Sequence, residues 1–88
     1  MERNELERAV KEILVENLGL GGPDEIKMQD HLVDDLEMDS LDAIEVISDV
    51  ETQFDLEIDD QDANRLVTVQ DLIDYVGQRI TLQAQEEG

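Results

Sequence analysis

Three segments of the chain carry apolar residues at the 3- and 4-residue spacing of one helix face, and this periodicity determines the fold class. The segments run from about Glu2 to Leu18, from about Ser40 to Phe54, and onward from Thr68. Helices with such apolar stripes bury them against one another and leave their other faces in water. The stripes are Leu6, Val10, Ile13, Leu14 and Leu18, then Leu41, Ile44, Ile47, Val50 and Phe54, and then Val69, Leu72, Ile73, Val76 and Ile80.

The segments between the stripes complete the predicted architecture. Residues 19–39 hold scattered apolar residues without sustained periodicity, which predicts an ordered loop packed on the helices, with a helical turn near residues 29–33. Residues 60–66 are long enough for one or two helical turns. We therefore expect an all-α fold: a small four-helix bundle with three major helices, a long ordered loop between helices 1 and 2, and a short helix 3. Residues 1–80 form its single domain, and the polar tail of residues 81–88 is expected to fray.

Capping residues mark where two of the helices begin. Asp39 precedes the second helix and Asp42 follows three residues later, so a side-chain acceptor and a favourable charge lie in the first turn. Thr68 and Asp71 give the same spacing at the start of the last helix. These pairs predict helix starts at Ser40 and close to Thr68.

The excess of acidic side chains limits the kinds of molecule that the protein can bind. The 88 residues include 25 acidic residues, 6 basic residues and a single His, for a formal net charge of -19. This charge repels nucleic acid phosphates and anionic lipids, so we expect no nucleic acid binding and no stable membrane insertion. Complementary partners carry basic patches. Repulsion among the carboxylates also predicts a fold of low stability that salt improves.

The N-terminus and the length of the apolar runs indicate the cellular location. The N-terminus lacks the charged and then apolar pattern of a signal peptide, and no apolar run reaches membrane-spanning length. We expect a soluble, cytoplasmic monomer.

Several kinds of chemistry are disfavoured by residue type and spacing. Without Cys there is no disulfide or thiolate metal site, and one His excludes a multi-histidine metal centre. A calcium loop beginning at Asp55 fails because Asp60 stands where Gly is needed and Leu66 where a bidentate Glu is needed. Neither Ser40 nor Ser48 lies in the G-x-S-x-G motif of a serine hydrolase. We expect no dedicated metal site and no serine hydrolase chemistry, while the spacing of the many carboxylates leaves an acid–base pair open.

Ser40 is the residue whose surroundings suggest a function. A long loop delivers it to the start of a helix, where free backbone N–H groups and the positive end of the helix dipole favour a phosphate. The helix that follows has an acidic outer face. Taken alone, the tetrapeptide Asp39-Ser40-Leu41-Asp42 is equally explained by ordinary helix capping.

Three collinear stretches, together with the helix pattern, resemble the acyl carrier proteins over nearly the whole chain. Residues 34–42, Asp-Asp-Leu-Glu-Met-Asp-Ser-Leu-Asp, look like the family's attachment motif. Residues 51–58, Glu-Thr-Gln-Phe-Asp-Leu-Glu-Ile, look like the end of its second helix, and residues 68–76, Thr-Val-Gln-Asp-Leu-Ile-Asp-Tyr-Val, like its last helix.

The resemblance implies that Ser40, flanked by Asp39 and Leu41, takes a 4'-phosphopantetheine arm from coenzyme A through a phosphopantetheinyl transferase. The thiol of the arm then carries acyl groups as thioesters between enzymes of fatty acid, polyketide or related lipid biosynthesis, and the protein itself catalyses nothing. The transferase and the acyl-transferring and acyl-modifying enzymes would present basic docking patches to one side of the second helix. This predicted partner surface is formed by Asp39, Leu41, Asp42, Ile44, Glu45, Ser48 and Asp49.

Some positions depart from the family pattern, and other functions remain open. Glu37 stands where the family often has Gly, and Ser48 where an apolar residue is often found, so a specialised carrier fits as well as a general one. The initial Met and the absence of a linker favour a free-standing carrier. The alternatives are an aminoacyl or peptidyl carrier, and an acidic helical interaction module without a prosthetic group. For Leu41 and Ile44, core packing is the alternative to partner contact.

Overall fold

Within residues 2–87 the protein folds into four α-helices, three of which periodicity predicts. A computed structural model describes the backbone of residues 2–87 and the side chains of residues 2–83. The helices are α1 (Arg3–Leu18), α2 (Ser40–Phe54), α3 (Asp60–Ala63) and α4 (Val69–Glu87), and a single 3-10 turn lies at Pro23–Glu25. The predicted all-α bundle with three major helices and a short third helix is confirmed. None of the helices within residues 2–87 is long and apolar enough to cross a membrane.

The core is formed by the apolar stripes of α1 and α4, by Val46 and Val50 of α2, and by further side chains from the connections. The stripe predicted for α2 is wrong in its first turns, because Leu41 and Ile44 are exposed. Among the side chains of residues 2–83, every fully buried one is apolar. Burial of these side chains is the main source of stability for a chain whose charges repel one another. The buried residues are Leu6, Val10, Ile13, Leu14, Ile26, Leu32, Val46, Val50, Leu56, Ile58, Val69, Leu72, Ile73 and Val76.

The ends of α1 and α2 use left-handed residues to turn the chain. Gly19 follows α1 with φ 67°, and its N–H donates to the carbonyl of Val15. Asp55 follows α2 with φ 53°, and its N–H donates to the carbonyl of Glu51. Glycine adopts this conformation without a steric penalty, and Asp tolerates it better than most residues do. The predicted end of α1 before the glycines and both predicted ends of α2 are confirmed.

The long loop between α1 and α2 is ordered and attached to the α3–α4 connection. Ile26 and Leu32 are buried in the core. The N–H of Leu32 donates to the carbonyl of Val67 at 2.9 Å, and the N–H of Val69 donates to the carbonyl of Asp30 at 2.9 Å. His31 and Thr68 form an antiparallel bridge between these hydrogen bonds, the single such bridge within residues 2–87. The loop is therefore fixed to the start of α4.

The helical turn predicted near residues 29–33 lies slightly later in the loop. The N–H groups of Asp35 and Leu36 both donate to the carbonyl of His31, each at 3.0 Å. The Asp35 carboxylate also accepts from the N–H of His31 at 2.7 Å. This side-chain acceptor fixes where the turn begins, a choice that apolar spacing alone does not reveal.

The start of α4 shows the predicted capping pair. The N–H of Asp71 donates to Oγ1 of Thr68 at 3.1 Å. In return, one carboxylate oxygen of Asp71 accepts from the N–H groups of Thr68 and Val67, both at 3.1 Å. These two backbone donors, that of Thr68 first, lower the pKa of Asp71 below its ordinary value because they stabilise the ionised carboxylate.

The lowered pKa of Asp71 predicts a pH-dependent contribution to stability. A carboxyl with a depressed folded-state pKa stabilises the fold above its unfolded pKa of about 4, and this stabilisation is lost as the pH falls through the folded value. We expect Asp71→Asn to lower the free energy of unfolding by about 1 kcal/mol at pH 7, with a smaller difference from wild type at pH 3. Urea unfolding at both pH values measures this. The control is Glu16→Gln, on the exposed side of α1. A loss of stability in Asp71→Asn that is the same at pH 7 and at pH 3 would contradict the prediction.

The last helix is longer than predicted. It continues to Glu87, past the end expected at Ile80. Thr81 donates from its hydroxyl to the carbonyl of Gly77 at 3.0 Å, and the side-chain amide of Gln83 donates to the carbonyl of Asp55 at 2.8 Å. The fraying of residues 81–88 remains a prediction; residue 88 lies outside the described residues.

Candidate functional site

Ser40 is the first residue of α2, and its side chain is exposed to solvent. The carboxylate of Asp39 accepts from the N–H of Asp42 at 2.8 Å, and that of Asp42 accepts from the N–H of Asp39 at 3.3 Å. This reciprocal capping box fixes the backbone on both sides of Ser40. The predicted cap at Asp39 is confirmed, and the pair makes α2 begin at Ser40.

Two backbone donors beside the Ser40 hydroxyl are left free by this arrangement. The N–H of Asp42 is taken by Asp39, and the N–H of Ala43 donates to the carbonyl of Asp39 at 2.9 Å. The N–H groups of Ser40 and Leu41 donate no hydrogen bond within the residues that the structure describes. They point out of the positive end of the helix, where an anion on the Ser40 oxygen would find both donors and a favourable dipole.

The backbone is strained three residues before Ser40. Glu37 has φ 58°, in the left-handed region that costs a residue with a side chain about 1–2 kcal/mol. The next N–H, of Met38, donates to the carbonyl of Leu32 at 3.0 Å and closes the loop. This position is the one where the related family often has Gly, and the positive φ gives the physical reason.

Glu37→Gly is therefore expected to stabilise the protein. Glycine removes the steric penalty but adds conformational freedom to the unfolded chain, so the net gain is about 0.5–1 kcal/mol. Urea unfolding at a constant m value measures it. Glu57→Gly is a matched control, since Glu57 is an exposed loop residue without a positive φ and its loss removes the same charge. The control is expected to lose stability, and an equal shift in both variants would show that charge, not strain, is responsible.

Acidic residues surround the site. More than half of the 25 acidic residues lie between residues 34 and 62, and none of the 6 basic residues does. The helix dipole contributes only about half a positive charge, so the surface around Ser40 stays negative. The acidic residues of this stretch are Asp34, Asp35, Glu37, Asp39, Asp42, Glu45, Asp49, Glu51, Asp55, Glu57, Asp59, Asp60 and Asp62.

An open groove of about 1080 Å³ begins at Ser40 and runs between α2 and α3. Ile44, Ile47 and Ser48 of α2 form one wall, and Asp60 and Ala63 of α3 form the other. The groove combines apolar side chains with a polar rim, which is the usual composition of a site for a small molecule or a flexible arm.

The structure exposes most of the predicted partner surface. Leu41 and Ile44 are 71% and 65% exposed, so core packing does not explain them. The side chain of Asp49 is engaged, because its carboxylate accepts from the side-chain amide of Asn17 at 2.8 Å. Asp42 is half-buried, and the remaining members of the surface are exposed. These exposed members are Asp39, Leu41, Ile44, Glu45, Ser48 and Asp49.

Sequence reasoning missed one exposed apolar residue at this site. Val33 is 61% exposed and lines the groove beside Met38 and Ile44. It lies in the loop, which has no periodicity from which exposure could be inferred. The apolar part of the surface is therefore wider than α2 alone suggests.

The acidic segment that begins at Asp55 has a structural role. Asp59 precedes α3, and its carboxylate accepts from the N–H of Gln61 at 3.4 Å, as an N-cap. Within the described side chains, no three acidic or His residues come together as metal ligands. Within this segment, Asp59 thus caps α3 and Asp60 lines the groove.

Comparison with known proteins gives this arrangement a family. The family described as "Phosphopantetheine attachment site" matches residues 8–76, which include Ser40, α2 and α3. An acyl carrier protein of Bdellovibrio bacteriovorus is 49% identical over 67 residues, covering 76% of this chain and 85% of the relative.

A solved structure shows the same fold. It is that of the acyl carrier protein from Enterococcus faecalis, described as having novel structural components that contribute to its high thermal stability. It superposes with a TM-score of 0.75 at 30% identity, covering 90% of this chain and 99% of the other. The chain belongs to the acyl carrier proteins, non-catalytic carriers of a phosphopantetheine group, and residues 8–76 form its phosphopantetheine attachment domain.

Proposed function

We propose that Ser40 carries the 4'-phosphopantetheine and that the protein shuttles acyl thioesters between enzymes of fatty acid, polyketide or related lipid biosynthesis in the cytoplasm. The observation that carries this proposal is the exposed Ser40 hydroxyl at the start of α2, beside two free backbone N–H groups and inside the matched family region. When bound, the group supplies a thiol on a long flexible arm, which holds the acyl cargo.

The residues present fit a phosphodiester at this position. In the transfer, the Ser40 oxygen would form a bond to the phosphorus that bears the pantetheine arm and would give its proton to the transferase. The bond from that phosphorus to the bridging oxygen of the coenzyme A pyrophosphate would break, and 3',5'-adenosine bisphosphate would leave. The N–H groups of Ser40 and Leu41 would then face the phosphate oxygens. The capping box between Asp39 and Asp42 holds the backbone in place without using either donor. No side chain of the protein needs to act as an acid or a base.

The acidic surface selects the partners. A phosphodiester would add negative charge beside Asp39 and Asp42, so an approaching transferase or acyl-handling enzyme should present Lys or Arg. Charged contacts at the rim of an interface speed and orient association more than they prolong it. Weak retention suits a carrier that must leave each enzyme in turn.

Exposed apolar side chains add a second, short-range contact. Leu41 and Ile44 lie one turn apart on α2, and Val33 lines the same groove as Ile44. Partners that fit this surface pair a basic patch with an apolar spot close to the serine. An acidic interaction module without a prosthetic group would share the charge but would not require the serine.

Loading with coenzyme A tests the proposal. The unmodified protein is incubated with coenzyme A and a broad-specificity phosphopantetheinyl transferase, and the intact mass is measured. We expect a gain of one phosphopantetheinyl group on the peptide that contains Ser40. Absence of a mass gain, or a gain on another peptide, would overturn the assignment.

A further inference from the structure

Helix α3 is the least packed part of the bundle. None of its residues, Asp60–Ala63, is fully buried, whereas α1 and α2 each bury several side chains. It nonetheless forms one wall of the groove that begins at Ser40. What holds α3 in place therefore sets the width of that groove.

Both ends of the α3 segment are fastened by hydrogen bonds to other parts of the fold. The N–H of Ile58 donates to the carboxylate of Glu51 on α2 at 2.8 Å. The carbonyl of Val67 accepts from the N–H of Leu32 at 2.9 Å. Ile58 is also buried in the core. These two points are the natural hinges of the segment between them.

Between the hinges, the backbone hydrogen bonds stay within the segment. The N–H of Ala63 donates to the carbonyl of Asp59 at 2.9 Å, and that of Asn64 donates to the carbonyl of Asp60 at 3.1 Å. Such bonds do not attach α3 to its neighbours, although Ala63 and Leu66 pack against the core. A helix of four residues does not keep its hydrogen bonds in water without support, so residues 59–66 open together when the segment leaves α4.

One hydrogen bond connects the middle of this segment to the rest of the molecule. The Tyr75 hydroxyl on α4 donates to the carboxylate of Asp62 at 2.9 Å, and within the described side chains no other hydrogen bond or ion pair joins residues 59–66 to another helix. Burial of the ring, together with this hydrogen bond and the Asp62 charge, raises the pKa of Tyr75. The phenol therefore remains a donor across the physiological range. Hydrogen bonds to an ionised acceptor are stronger than neutral ones.

We propose that the Tyr75–Asp62 hydrogen bond is a latch that closes α3 onto α4. When the hydrogen bond breaks, residues 59–66 swing about Ile58 and Val67 and widen the groove beside Ser40. The latch does not depend on the proposed function. Only the use of the widened groove by an arm on Ser40 rests on that function.

Amide hydrogen exchange of the unmodified protein, resolved by residue, tests the latch. Tyr75→Phe removes the hydroxyl and keeps the ring, so packing is retained. We expect exchange at Ala63 and Asn64 to become about tenfold faster, in line with the net strength of a hydrogen bond to a charged group. Exchange at Val10 in α1 and Val50 in α2 should stay within about twofold of wild type.

Further variants separate a latch from a general loss of stability. Asp62→Ala should produce the same local change, and the double variant should add nothing to either single one. Asp60→Ala is the matched control, since the Asp60 side chain makes no hydrogen bond in the described structure. Equal acceleration at all amides, or no acceleration at Ala63 and Asn64, would overturn the proposal.

Loading with coenzyme A provides the separate readout. Tyr75→Phe should still gain one phosphopantetheinyl group, because Ser40 and its capping box lie outside residues 59–66. If the wild-type protein also fails to load, the function proposed for Ser40 is wrong. The exchange result still tests the Tyr75–Asp62 latch. If loading succeeds but exchange at Ala63 and Asn64 does not change, only the latch proposal is wrong.

Discussion

Replacing Ser40 by Ala should abolish phosphopantetheine loading. Alanine lacks the hydroxyl oxygen that must bond to phosphorus, and no Cys is present to substitute for it. The other hydroxyl at the start of a long helix, that of Thr68, accepts from the N–H of Asp71 in the capping pair of α4. We expect no mass gain under conditions that load wild type to completion, with the intact mass as the measurement.

The matched control for this experiment is Ser48→Ala. Ser48 lies on the same helix, is exposed and lines the same groove, but it is two turns from the helix start. It should load to completion. The Ser40 substitution leaves the Asp39–Asp42 capping box intact, so its stability should stay within about 0.5 kcal/mol of wild type. Loading of the Ser40→Ala variant would place the attachment elsewhere.

The carboxylates around Ser40 differ in how freely they can meet a partner. Asp39 and Asp42 are tied to each other's backbone, and Asp49 is bonded to Asn17 of α1. The structure gives Glu45 no such partner within the described residues. Fixed carboxylates present a charge in a set position at little entropic cost, while free ones adapt to different partners. A carrier with several client enzymes gains from having both.

The helix positions could be predicted from the sequence because their signals are local. The capping residues Asp39 and Thr68, the glycine after α1 and the apolar spacing all act within a few residues of one another. The same is true of Ser40, whose place at a helix start follows from the cap before it.

The features that sequence did not reveal depend on contacts between distant residues. The far end of α4 adds a hydrogen bond between Gln83 and Asp55, which are 28 positions apart. Periodicity put Leu41 and Ile44 on the buried stripe of α2, yet both are exposed because no element covers the first turns of that face. The Tyr75–Asp62 hydrogen bond joins residues 13 positions apart, across the α3–α4 connection.

A single cavity in the core should unfold much of this protein at low salt. Leu14→Ala removes a fully buried side chain, at a cost of about 2–5 kcal/mol. Small domains have total stabilities of about 5–15 kcal/mol, and repulsion within a chain of net charge -19 favours the low end. Circular dichroism at low ionic strength and 25 °C should show a large loss of helix relative to wild type.

Added salt and a surface leucine separate the two causes of that instability. About 0.15 M salt shortens the screening length to about 8 Å, so it should restore part of the helix in Leu14→Ala and raise the melting temperature of wild type. Leu41→Ala makes the same chemical change at a position that is 71% exposed. Its stability should stay within about 0.5 kcal/mol of wild type, because no cavity forms at the surface. Equal losses in the two variants would contradict core packing as the cause, because both substitutions change helix propensity in the same way. An unchanged wild-type melting temperature would show that charge repulsion does not lower the stability.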